Sequence, residues 1–210
     1  MSFAGDRSER EGVVKYRCEH VRRRLDPHPI LGELIRWRAV LCERRLIGVD
    51  EAGTGYGNVS VRLYATPRFL VSGSQTGGLG AVDGRHFAEV LVVDLERNFL
   101  RCAGEVVASS EAMTHAALYQ ADPAIGGVAH VHAPAVWRRG KGVLPTTHDD
   151  VPYGTPEMAH EMIRLHRRGA FRQRGAVVMG GHQDGVIAFG PTLGDAVAEI
   201  LRLARDDDAP

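Results

Sequence analysis

The chain has 210 residues, 44% of them hydrophobic and 25% charged, with 26 basic side chains balancing 26 acidic ones. That length suits one domain with a substantial core and is short for two. The charge balance provides no basic field for nucleic acid. The arginine clusters Arg22-Arg23-Arg24 and Arg138-Arg139 lack interleaved aromatics and read as solvated faces.

Cys18, Cys42 and Cys102 are odd in number and widely spaced, with no CxxC knuckle. They predict no disulfide framework and fit a reducing compartment. The first twelve residues lack the apolar core of a signal peptide, and no apolar run reaches the ~18 residues of a membrane span. A cytoplasmic protein without membrane or nucleic-acid partners is expected.

Residues 1–28 are polar and Arg-rich and read as an N-terminal arm, with a short helix over 13–24 ended by Pro27 and Pro29. From residue 29 to 205 a single domain is expected, followed by an acidic tail at 206–210. Apolar residues at helical spacing predict a helix over 30–47, stopped by Gly48. Alternate glycines over 51–58 predict a loop. Strands are predicted over 59–64 and 69–71, with a second glycine-rich loop over 72–78. A buried strand over 90–95 pairs with an edge strand over 99–102. Ser109 or Ser110 caps a helix running to Ala121, where Asp122-Pro123 stops it. A strand over 125–132, a short helix over 134–139 and an irregular stretch over 144–153 follow. Pro156 opens a helix to Arg168. Strands over 176–179 and 186–189 flank a turn, and Thr192 caps a last helix over 193–205. Interleaved helices with hairpin-joined early strands predict a mixed sheet sandwiched by helices. No GxGxxG fingerprint and no Walker loop is present.

The chemistry concentrates in three places. His130 and His132 end a strand two residues apart, so both rings face one side while Val131 faces the core. His182 sits in a tight Gly180-Gly181-His182 turn beside another strand. Glu111 lies near a helix N-terminus, where a carboxylate is favoured in its charged form. Three imidazoles and one carboxylate suit zinc, with manganese, cobalt or iron as alternatives. His115, four residues after Glu111 on the same helix face, is a candidate supporting group.

Gly57-Asn58-Val59-Ser60, Ser109-Ser110-Glu111, His130-Val131-His132 and Gly181-His182 arrive in an order and spacing that resemble the class II aldolase/adducin family. The resemblance spans about residues 30–200. It implies a three-layer α/β/α domain around a mixed, largely antiparallel sheet. It implies that His130, His132 and His182 bind the metal, with Glu111 as catalytic acid/base and additional ligand. Gly57, Asn58, Thr76, Gly77, Ser109 and Ser110 would cradle a substrate phosphate. Amides of glycine loops and hydroxyls at a helix N-terminus make an anion nest in any case. The implied activity is a lyase that cleaves a small sugar phosphate through a metal-stabilised enediolate, in a homotetramer with sites between subunits.

The sequence departs from the aldolases in one segment. Thr146-Thr147-His148-Asp149-Asp150 with Tyr153-Gly154-Thr155 resembles the epimerases of the family, and Asp150 falls at their catalytic aspartate. An epimerase, dehydratase or decarboxylase is therefore the alternative. A non-catalytic module like the adducin head is the third reading, opposed by the intact histidines and Glu111.

Overall fold

A computed structural model describes residues 13–64, 66–172 and 175–205. The first twelve residues of the arm and the acidic tail lie outside the described residues. In chain order the strands are β1 (Arg17–Arg22), β2 (Gly48–Val49), β3 (Gly55–Tyr56), β4 (Asn58–Arg62), β5 (Phe69–Ser72), β6 (Phe87–Asp94), β7 (Phe99–Gly104), β8 (Gly127–His132), β9 (Ala176–Val178) and β10 (Gly185–Gly190). The helices are α1 (Pro29–Glu43), α2 (Ala112–Ala121), α3 (Pro134–Gly140), α4 (Pro156–Arg167) and α5 (Leu193–Arg205). Eight strands form one sheet in the order β1-β7-β6-β5-β4-β8-β10-β9, and β2 pairs with β3 as a separate ribbon. Among the described strands only β1 and β7 run parallel in that sheet, so it is mixed and largely antiparallel.

Apolar side chains leave both faces of the sheet and require helices on each. On one face Met113, Leu118, Met158 and Met162 of α2 and α4 pack on Val71, Val90, Val128 and Ile187. On the other, Leu34, Leu41, Val136, Val197 and Ile200 of α1, α3 and α5 pack on Val59, Ala129, Val131 and Val186. The result is three layers, α/β/α. Strand β8 lies between β4 and β10 with both faces covered, which accounts for its nearly continuous apolar run. Among the described residues no helix is long and apolar enough to cross a membrane.

Five local expectations change. The helix expected over 13–24 is instead β1, paired in register with β7 from Arg17↔Phe99 to Arg22↔Gly104. An uncovered β7 would leave a row of main-chain donors and acceptors without partners, and β1 supplies them. For the same reason β7 is an interior strand and not the edge. Helix α1 ends at Glu43, with Arg45 at φ 57°, and does not continue to residue 47. The break frees the Leu46 carbonyl to accept from the His132 amide at 3.0 Å, which ties this segment to the end of β8. The loop expected over 51–58 contains part of the β2–β3 ribbon.

The fifth change concerns the start of α2. Its N-cap residue is Glu111, and neither serine caps the helix. The Ser109 amide is bonded to Ser72 O at 3.0 Å, and the Tyr16 hydroxyl donates to the Ala108 and Ser109 carbonyls at 2.8 and 3.1 Å. These contacts hold the serine pair against the end of β5 before the helix begins.

Candidate metal centre and anion cradle

His130 and His132 project from β8 on the side away from Val131, which is buried under α1 and α5. His182 comes from the turn between β9 and β10. Its amide donates to Met179 O, and its carbonyl accepts from Gly185 N. The pairing Gly185↔His132 brings that turn level with the end of β8. One ring nitrogen from each of the three histidines falls within a group whose members all lie within 4.8 Å of one another. The Nε2 atoms of His132 and His182 are 3.1 Å apart. Two ligands at ~2.0–2.1 Å from a tetrahedral ion would stand about 3.3 Å apart. The donor set and its spacing therefore fit a divalent ion such as zinc.

Gly181 is required by close approach. A Cβ there would meet the Val151 carbonyl at 2.0 Å. The 147–151 segment packs on the turn, and Thr147 Oγ1 accepts from the Gly180 amide at 2.8 Å. Thus the Gly-Gly-His signal in the sequence is a packing requirement that aims one imidazole.

Glu111 is only 1% exposed. Its Oε1 lies 3.7 Å from His182 Nδ1, the nitrogen opposite the one that faces His132. Its Oε2 accepts a 2.9 Å bond from Thr114 Oγ1. The carboxylate stands beside the three-histidine group and not within it. His115 turns elsewhere. Its Nδ1 shares a 2.7 Å bond with Ser60 Oγ, and burial lowers its pKa to about 3, so it stays neutral.

The residues assigned to phosphate binding converge as well. Gly57, Asn58, Thr76, Gly77, Ser109 and Ser110 line one small cavity together with Gly55 and the 73–75 segment. Asn58 is the cross-strand partner of His130, so the cradle and the histidine cluster share a boundary on the same sheet face. Asn58 Oδ1 is buried there with no hydrogen-bond partner among the described residues. Asp150 sits apart from this convergence. It is exposed and lines an open depression with Lys141, His148, Asp149, Arg164 and Arg168, where Lys141 pairs with Asp149 at 2.8 Å.

Two aromatic residues beside the histidines were not assigned to the site from the sequence. The Tyr56 ring stacks on His132 with centroids 4.8 Å apart, and the Tyr153 ring lies 4.6 Å from His182. Lys15 places its ammonium 3.7 Å from the Tyr153 ring centroid. The sequence signal for Tyr56 was its position between glycines of a suspected loop, and for Tyr153 its place in the segment that resembles the epimerases.

The α/β/α domain gathers three histidines at a spacing that could hold a metal ion, with a carboxylate beside them. The family described as Class II Aldolase and Adducin N-terminal domain matches residues 42–205, and the chain belongs to that family. Solved structures share the fold at low identity. An L-fuculose 1-phosphate aldolase is 21% identical, with 87% of this chain and 86% of that chain covered at a TM-score of 0.64. L-Fuculose-1-phosphate aldolase from Thermus thermophilus is 20% identical over 85% of this chain and 91% of its own, at a TM-score of 0.61. A sugar-phosphate aldolase from Thermotoga maritima is 15% identical over 85% and 91%, at a TM-score of 0.63.

Proposed function

We propose that this protein is a divalent-metal-dependent lyase that cleaves a small sugar phosphate by a retro-aldol reaction. The observation that carries the reading is the gathering of His130, His132 and His182 beside Glu111, with the cradle across one strand pairing. His130, His132 and His182 would hold the ion, zinc first among the candidates, and it would supply Lewis acidity to neighbouring carbonyl and hydroxyl oxygens of a ketose.

The remaining steps belong to the chain's own groups. Glu111 takes the hydroxyl proton whose loss starts C–C cleavage, then returns a proton to the carbanionic carbon of the retained fragment. Thr114 donates to one carboxylate oxygen and so fixes the orientation of the group. Ser109, Ser110, Asn58 and the amides of Gly57 and Gly77 bind the phosphate. That remote binding energy holds the reacting carbons in register. The test is a panel of ketose phosphates offered to the zinc, manganese and cobalt forms. Release of an aldehyde supports the lyase, and none from any member sinks it.

A second reading, an epimerase, dehydratase or decarboxylase on the same scaffold, is favoured by Asp150 at the rim of the neighbouring depression. Asp150→Asn abolishes turnover under that reading and leaves a lyase largely active. A non-catalytic module would carry no tightly bound divalent ion, which elemental analysis decides.

A further inference from the structure

Arg38 on α1 is 2% exposed, among the largest fully buried side chains of the fold. Its guanidinium donates to three main-chain carbonyls of one loop: Thr76 O at 2.5 Å, Gly77 O at 3.1 Å and Leu79 O at 3.0 Å. Among the described residues no carboxylate pairs with it, and burial lowers its pKa. A buried cation held by dipoles alone is costly. Such a group calls for an anion nearby, and the loop it grips is a wall of the cradle.

The geometry adds a direction. In a trans peptide the C=O of one residue and the N–H of the next point opposite ways. Arg38 draws the carbonyls of Thr76 and Gly77 to its own side, so the amides of Gly77 and Gly78 turn to the far side of the loop. Gly77 lines the cradle. Its position admits no Cβ, which would meet Gly48 O at 2.4 Å.

We infer that Arg38 is a positioning residue and buried counter-cation for the anion cradle, aiming the Gly77 amide at a phosphoryl dianion that its own charge helps to neutralise. This deepens the proposed function and rests on its reading of the cradle as a phosphate site. A dianion gains more than a monoanion from a fixed cation across a dry loop. Preference for the dianion should therefore depend on the guanidinium.

The experiment measures binding of inorganic phosphate to the full metal-loaded chain by 31P NMR and thermal shift at pH 6 and pH 8. The wild type is expected to bind more tightly at pH 8. Ser110→Ala, which reports on the cradle alone, weakens binding at both pH values. Arg38→Lys keeps a charge but loses the three-way grip, and weakens binding about tenfold. Arg38→Met weakens it further and removes the preference for pH 8. If Arg38→Met does not fold, Arg38→Lys and the glycine amide resonances of 15N-labelled wild type decide, with Gly77 shifting as phosphate saturates. Wild-type binding unaffected by Ser110→Ala means that phosphate does not occupy the cradle, and overturns both readings. Binding that Ser110→Ala weakens, but that Arg38→Lys leaves unchanged or that leaves the Gly77 amide unmoved, overturns the role of Arg38 alone.

Discussion

The Nε2 atoms of His132 and His182 face each other at 3.1 Å, and Glu111 approaches the far nitrogen of His182 at 3.7 Å. On the proposed reading, these contacts divide the labour between holding an ion and moving a proton. His182→Ala is expected to cut the bound divalent metal from near one equivalent to roughly a tenth or less, since two imidazoles make an incomplete zinc site. Elemental analysis after dialysis checks it. Glu111→Gln should keep the metal but lose at least ~10²-fold in turnover, the usual worth of a positioned acid/base. Metal loss in that variant would make Glu111 a ligand before anything else. At this scale the sequence was informative because strand alternation alone puts His130 and His132 on one face. The packing of Tyr56 and Tyr153 against the histidines was not legible, because an aromatic ring against an imidazole carries no spacing rule of its own.

Elements matter here as supports for a few side chains. The turn before β10 aims His182 only because Gly181 lets the Val151 carbonyl come close. Gly181→Ala must push the two segments apart. The expected result is a lower melting temperature together with weaker metal binding, read by calorimetry and metal titration on one sample. The loop that packs on this turn is anchored to α4, where Glu161 Oε2 accepts from the His148 amide at 2.9 Å. The Arg164 guanidinium holds the Glu161 carboxyl below its ordinary value of 4.5, followed by smaller help from the His148 amide. A carboxyl lowered on folding contributes stability above its unfolded pKa, and that contribution is lost as pH falls through the lowered value. Glu161→Gln should therefore reduce stability near neutral pH and flatten the fall below about pH 4.5. Urea midpoints across pH check the sign. An unchanged acid limb would refute the assignment.

At the scale of the molecule, the three-layer arrangement puts the cradle and the histidines on the same face of the sheet, at the meeting of β4, β8 and β10. Asp150 and its depression lie on an exposed rim. An exposed candidate acid is intelligible if a second copy closes over it, and a homotetramer with shared sites is the expectation. Light scattering on the metal-loaded chain should give a mass near four times 22.9 kDa. A monomer would count against shared sites and leave Asp150 without a closed environment.

The sequence by itself determined the elements whose signals are local. The apolar run of β8, the alternation of β4, the helix start at Pro156 and the histidine spacing depend on neighbours two to four positions away, which the chain carries wherever it folds. Only the tertiary structure decided β1, the end of α1 and the start of α2. Each of these is set by a main-chain partner far along the chain: the edge of β7 for β1, the His132 amide for Leu46 and the Ser72 carbonyl for Ser109. Arg38 belongs with them, since its three carbonyl partners lie some 40 residues away in sequence. Helical periodicity marks it as one more basic residue, and only the packed loop reveals a buried charge.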